Sequence, residues 1–200
     1  MNIVVFGGTF DPIHNGHLMV AGMVASRFAT QVIFVPTGQS RLKVERSITP
    51  SADRLEMVRR AISSSSCYSL STVETERFGS SYTVDTMRYL KRQVAPCDEL
   101  YFVLGLDCLL SLPHWHEPEY LIQICRLVVV PRAGYKASDI TALEEVLPGI
   151  SQKVLLLNEP EVDISGSIIR ERVKQRLPIS HLVPQVVESY IREKKLYSSD

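Results

Sequence analysis

The chain of 200 residues is short of several things, and each shortage excludes a class. Its four cysteines, Cys67, Cys97, Cys108 and Cys125, form no CxxC and no metal-ligand spacing. A zinc ribbon or a disulfide framework is therefore not expected, and free thiols in a reducing cytoplasm are. Charge of one sign is not in excess: 22 Lys and Arg face 22 Asp and Glu. A large nucleic-acid footprint would want a basic surplus, so no nucleic-acid partner is expected. No apolar run approaches the ~20 residues of a membrane helix, so no membrane partner is expected either. The opening apolar run, Asn2 to Phe6, is too short for a signal peptide and follows no basic segment. Internal repeats, linkers and long low-complexity segments are missing, and "SSSS" (Ser63 to Ser66) reads as a loop. Neither a GxxxxGK[ST] loop nor a GxGxxG fingerprint is present.

What is present is a recurrence of short apolar runs. They fall at Ile3 to Phe6, Val32 to Val35, Tyr101 to Leu104, Leu127 to Val130 and Val154 to Leu157. They are β-branched or aromatic and mostly continuous rather than alternating, as strands buried on both faces of a parallel sheet read. Tyr68 to Thr75 is more polar and reads as an edge strand. Helical periodicity lies between the runs. His17 to Ala29 carries Leu18, Ala21, Ala25 and Phe28 on one side. Thr49 and Pro50 read as N-cap and first residue of a helix bearing Leu55, Val58 and Ile62. Tyr82 to Val94, Ser165 to Gln175 and Pro184 to Lys194 read as further helices. The alternation predicts an α/β fold: a doubly wound, mainly parallel sheet. One domain is expected over 1–200, with residues from about 160 onward forming a small helical C-terminal part. Such sheets bind ligands beyond the carboxyl ends of their strands.

The stretch "GGTFDPIHNGHL", Gly7 to Leu18, lies at such an end. Gly7 and Gly8 are expected to give a sharp turn and a close ligand approach. The following helix would aim its N-terminal N–H groups at that turn, a ready site for phosphate. His14 and His17 would sit on one side of its first turn. Two imidazole N–H donors there can hold phosphoryl oxygens as charge develops on them. A zinc site from His14, His17 and Asp11 is the weaker reading, since Asp11 suits a turn before Pro12.

A second phosphate cradle is legible in "DISGSIIRERV", Asp163 to Val173. Ser165 reads as an N-cap, Ser167 as a hydroxyl in the first turn, and Arg170 as a guanidinium fork on Ser167's side. The plain alternative is an ordinary cap with a solvated arginine.

These motifs together resemble a known family. "GGTFDPIHNGHL" is similar to the (H/T)xGH signature of the nucleotidyltransferase superfamily, in the form of the bacterial nicotinate mononucleotide adenylyltransferases. "SGSIIR" (Ser165 to Arg170) resembles that family's ISSTxIR motif. "SYTVDT", "GLDCLLSLPHW", "VPRAGY" and the closing "LVPQVVESYIREKKLY" resemble family segments in the expected order. The resemblance implies a Rossmann-like fold and a step of NAD biosynthesis in EC class 2.7.7. The adenylyl group of ATP passes to nicotinate mononucleotide, giving nicotinate adenine dinucleotide and pyrophosphate. It implies that His14, His17 and Arg170 are catalytic, and that Gly7, Gly8, Thr9, Phe10, Lys43, Asp107, Ser165 and Ser167 line the ATP side. Thr83, Trp115 and His116 would meet the nicotinate nucleotide, with Trp115 stacking on the pyridine. Mg²⁺ would arrive with ATP and bridge its phosphates, with few protein ligands. Two departures stand out: "SRLK" (Ser40 to Lys43) replaces the family's PPHK, and Gly166 and Ser167 replace Ser and Thr. A homo-oligomer is left open.

Rival readings exist. An alternative acceptor is nicotinamide mononucleotide or phosphopantetheine; the phosphopantetheine enzymes usually have a Thr where His14 stands and a shorter chain, and the middle segments argue against them. Cytidylyl transfer is a further variant. A catalytically idle nucleotide-binding domain would be expected to lose a histidine, and neither is lost. Trp115 can also be a half-buried core aromatic, Asp107 a helix cap, His114 a surface residue, and His116 either exposed or a donor to a carboxylate.

Overall fold

The computed structural model describes residues 2–28, 30–38, 48–131, 138–157 and 164–198. Strand β1 (Asn2–Gly8) leads into α1 (Asn15–Phe28), followed by β2 (Val32–Pro36), α2 (Ser51–Ile62), β3 (Tyr68–Leu70) and α3 (Thr83–Lys91). The second half runs β4 (Glu99–Gly105), α4 (Leu106–Leu110), α5 (Pro118–Ile124), β5 (Arg126–Val130), α6 (Ser138–Val146) and β6 (Val154–Leu156). Helices α7 (Gly166–Lys174) and α8 (Gln185–Glu193) follow. The strands form one sheet in the order β3-β2-β1-β4-β5-β6, parallel at every pairing. This is a doubly wound, Rossmann-like sheet.

The continuous apolar runs have a direct cause. Along β1, Val4 and Phe6 enter the core on one face while Val5 enters the core on the other. Along β5, Val128 belongs to the first face and Leu127 and Val129 to the second. With successive side chains pointing to opposite faces, a sheet covered on both sides has no polar positions left. Helices α1, α2, α7 and α8 cover the first face, and α3 to α6 cover the second. Each fully buried Val or Leu contributes roughly 1.5 to 3 kcal/mol. The residues from Ile164 to Tyr197 pack on the same core as β1, α1 and α2.

Three local expectations are corrected. Helix α2 starts at Ser51, with Pro50 in the capping position and no side-chain cap, so Thr49 is not the N-cap. Thr49 is turned toward the opening loop instead: its N–H faces Asp11 Oδ2 at 3.4 Å. The buried face of α2 is Arg54, Met57, Val58 and Ile62, with Leu55 only half-buried. The edge strand β3 covers only Tyr68 to Leu70 of the longer polar run.

The sheet turns back between β1 and β4. The chain first builds outward through β2 and β3, then crosses to β4, β5 and β6. The crevice beyond the carboxyl ends of β1 and β4 is the ligand position of such a sheet. Gly8 ends one strand and Gly105 the other.

Candidate active site

The two opening glycines are not the turn. Gly7 and Gly8 are still in the ladder, paired with Val35 and Pro36 of β2. Their lack of a side chain answers close packing: a Cβ on Gly7 would lie 2.9 Å from the Phe102 ring, and one on Gly8 3.0 Å from the Phe10 ring. The chain bends two residues later, at Phe10 with φ +49, followed by a cis Asp11–Pro12 bond. The Phe10 ring is fully buried, with ring centres 5.7 Å from both Phe6 and Phe34. Phe10 thus anchors the loop from below.

His14 and His17 do come together. Their rings stack with centroids 3.6 Å apart and planes 22° off parallel. The His14 backbone N–H donates to His17 Nδ1 at 3.2 Å. This is one half of a capping box, with the His17 imidazole in the place of the usual Glu reaching back to the N-cap N–H. With Nδ1 accepting, a neutral His17 carries its proton on Nε2. Burial lowers the His14 imidazole to about 4, where an ordinary histidine has 6.5. Burial, and then repulsion from a charged His14, hold His17 well below its ordinary value. Both rings are neutral near pH 7, so each offers an N–H donor rather than a positive charge. Among the described residues, His14 Nδ1 is buried without a hydrogen-bond partner.

Asp11 joins the loop to distant elements. It is 7% exposed. Its Oδ1 accepts from the Tyr197 hydroxyl at 2.7 Å, and its backbone carbonyl accepts from Arg170 Nη1 at 2.6 Å. Buried Arg54 grips the same loop: Nη1 donates to the Thr9 carbonyl at 2.8 Å and Nε to the Thr49 carbonyl at 2.9 Å. The Asn15 N–H donates to the Leu182 carbonyl at 2.8 Å, so the chain ahead of α8 closes one side of α1's N-terminus.

The second cradle docks on this loop. Ser165 is the N-cap of α7, accepting from the Ile168 N–H at 3.3 Å. Its Oγ lies 3.1 Å from the exposed Ser167 Oγ. A Cβ on Gly166 would lie 2.7 Å from the Asp11 carbonyl oxygen. The N-termini of α1 and α7 are therefore neighbours across Asp11. Lys43 and Arg41 lie outside the described residues.

The middle segments occupy the other side of the crevice. Asp107 is the second residue of α4, and Gly105 holds the capping position. The Asp107 carboxylate folds over Gly105, where a Cβ would lie 2.5 Å from Oδ1. Thr83 begins α3, half-buried, beside Tyr82. The Tyr82 ring lies on the His116 ring, centroids 4.4 Å apart. Half-buried Trp115 donates from Nε1 to Ser111 Oγ at 3.1 Å and meets Phe102 edge-on at 6.3 Å. Phe102 is the ring that presses on Gly7, so the Trp115 segment is packed through to β1. His116 is exposed and faces Glu117 Oε1 at 3.2 Å; His114 is exposed as well. Arg88 ties the segment to α3, donating to Asp85 and Glu117 at 2.7 Å each.

Sequence reasoning missed Arg54, Tyr197 and the reach of Asp11. For Arg54 a signal existed: it falls on the apolar stripe with Met57, Val58 and Ile62, where a charge requires a buried partner. Among the described residues, no group of three or more His, Cys, Asp or Glu stands together as a metal site. No helix there is long and apolar enough to cross a membrane.

Comparison with known proteins assigns the family and the fold. Residues 5–172 match the model of the cytidylyltransferase-like family. A probable nicotinate-nucleotide adenylyltransferase of Dehalococcoides mccartyi (strain CBDB1) is 47% identical over 194 residues, covering 96% of this chain and 95% of the relative. The corresponding protein of Bacillus pumilus is 38% identical over 198 residues, covering 98% of both. Among solved structures, Plasmodium falciparum nicotinic acid mononucleotide adenylyltransferase complexed with NaAD superposes with a TM-score of 0.78 at 24% identity, covering 98% of this chain and 97% of that one. That likeness bears on the fold. The chain belongs to the cytidylyltransferase-like family and, within it, to the nicotinate-nucleotide adenylyltransferases.

Proposed function

We propose that the chain transfers the adenylyl group of ATP to nicotinate mononucleotide, yielding nicotinate adenine dinucleotide and pyrophosphate, a step in making NAD. The observation that carries this reading is the 2.6 Å bond from Arg170 Nη1 to the Asp11 carbonyl. It sets two helix N-termini suited to phosphate side by side at the carboxyl edge of the sheet.

In this reading ATP lies across the junction. An oxygen of the nucleotide's phosphate attacks the α-phosphorus in line. The bond from that phosphorus to the bridging oxygen of the β-phosphate breaks, and pyrophosphate leaves with the electron pair. Such a transfer needs positioning and charge neutralisation rather than a covalent intermediate. His14 and His17, as neutral donors, stabilise charge growing on the α-phosphate oxygens. Ser167, Lys43 and the further N–H groups of the Arg170 fork hold the departing β- and γ-phosphates. The backbone from Gly7 to Phe10 lines the same side, and Ser165 keeps α7's first turn in shape. Asp107 accepts from ribose hydroxyls. Thr83, Trp115 and His116 face the pyridine, with the Trp115 indole as the flat wall. Mg²⁺ enters as the metal–ATP complex, held chiefly by phosphate oxygens. A cytoplasmic location goes with this reading, and the described cysteines are all free thiols.

The test offers MgATP with nicotinate mononucleotide, nicotinamide mononucleotide or phosphopantetheine, and measures pyrophosphate. Turnover with the first is expected. Turnover confined to phosphopantetheine would assign the chain another acceptor.

A further inference from the structure

We propose that Tyr197, near the end of the chain, is a positioning residue for ATP, acting through Asp11 on the junction of the two phosphate cradles. This rests on the function proposed above.

Asp11 has few donors to spare. It is nearly buried, and among the described residues its carboxylate meets the Tyr197 hydroxyl at 2.7 Å, the Thr49 N–H at 3.4 Å, and Arg170, whose Nη1 is 3.8 Å from Oδ2. Tyr197 supplies the shortest side-chain bond. Burial, and then the Asp11 carboxylate, push the phenol upward, so it stays a donor. Losing that hydroxyl leaves a buried carboxylate oxygen short of a donor, which is costly.

The end of the chain is also shaped to deliver this group. After α8, Lys195 at φ +52 is the left-handed residue of a Schellman cap, and Tyr197 itself adopts φ +63, a region that non-glycine residues rarely enter. The Leu196 N–H returns to the Ile191 carbonyl at 3.0 Å, turning the chain back toward the loop. Strain of this kind persists where surrounding structure over-determines it. The Tyr197 ring packs on the same core as β1 and α1.

Through Asp11 the effect reaches ATP. The Asp11 carbonyl bonds Arg170, and the Gly166 backbone packs directly on it. A swing of Asp11 therefore shifts Arg170 relative to His14, three residues along the loop. Thr83, Trp115 and His116 stand on other elements. ATP feels the change and the acceptor does not.

The experiment compares the full chain with Tyr197→Phe, which keeps the ring and removes the hydroxyl. Affinities for MgATP and for nicotinate mononucleotide are measured separately by calorimetry, with the melting midpoint. The expected result is MgATP binding about tenfold weaker, an unchanged acceptor affinity, and a midpoint lower by at most about 4 °C. Asp11→Asn and the double variant complete a cycle, in which the double is expected to be no worse than the worse single. MgATP affinity within about twofold of the unaltered chain overturns the proposal, as does parallel weakening of both ligands or an additive double variant. Should the unaltered chain fail to adenylate nicotinate mononucleotide, the proposed function falls while the MgATP comparison still decides the role of Tyr197.

Discussion

His17 is fixed before any substrate arrives. Its Nδ1 accepts the His14 backbone N–H, its ring stacks on His14, and Phe10 lies edge-on at 4.9 Å. A donor held this way costs little reorganisation when charge appears on a phosphate oxygen. His17→Ala is expected to lower turnover by ~10² or more, with the circular dichroism spectrum unchanged; near-normal turnover would reject the role. The same burial gives a pH signature. The unfolded chain binds a proton at His14 near pH 6.5, and the folded chain only near 4. Between these values the unfolded state holds more protons. The stabilisation is therefore complete above pH 6.5 and is lost as the pH falls toward 4, at up to about 1.4 kcal/mol per pH unit. His14→Gln is expected to flatten that part of a melting-midpoint profile; an unchanged slope would place the loss elsewhere. The histidine pair and the Ser165 cap were legible because their partners lie within a few residues. Asp11 was not: its partners Thr49, Arg170 and Tyr197 are 38, 159 and 186 positions away, and only the fold brings them to it.

Elements hold the site through a few close approaches. Helix α2 carries Arg54 on its buried face, so one charged side chain tethers the carbonyls of Thr9 and Thr49. Arg54→Met keeps the length and removes the donors. It is expected to destabilise the chain by about 2 to 4 kcal/mol in urea unfolding, because both carbonyls lose their partner inside the protein. A change under about 0.5 kcal/mol would show that water replaces the guanidinium at no cost. Beyond the end of β2, Gly38 runs against the segment before α3. A Cβ there would lie 2.2 Å from the Glu74 carbonyl oxygen and 2.6 Å from Ser81 Oγ. Backbone cannot step aside as a side chain can, so Gly38→Ala is expected to cost about 1 to 3 kcal/mol. A melting midpoint equal to that of the unaltered chain would contradict the approach. The helices themselves were legible from their apolar spacing. Their exact starts were not, since Thr49 forgoes its cap to face the opening loop. The glycines of β1 misled for a similar reason: their need is set by Phe102 and Phe10 across the fold, not by a local turn.

At the scale of the molecule, the strand order decides where chemistry can happen. Reversal between β1 and β4 opens a crevice at the carboxyl edge. The fold delivers the His14 loop and α7 to one side, and α3 and the Trp115 segment to the other. The parallel sheet was readable because its strands are covered on both faces and so lack polar alternation. What no local pattern carried was the contribution of the last residues, which pack on the core that β1 shares and reach the opening loop. The most direct test of the whole arrangement follows one phosphorus atom. ATP labelled in its α-phosphate is incubated with Mg²⁺, nicotinate mononucleotide and the chain. The label is expected in nicotinate adenine dinucleotide, with one pyrophosphate released for each dinucleotide formed. Label that stays in ATP, or that leaves as free AMP or ADP with no dinucleotide, would contradict adenylyl transfer at this site.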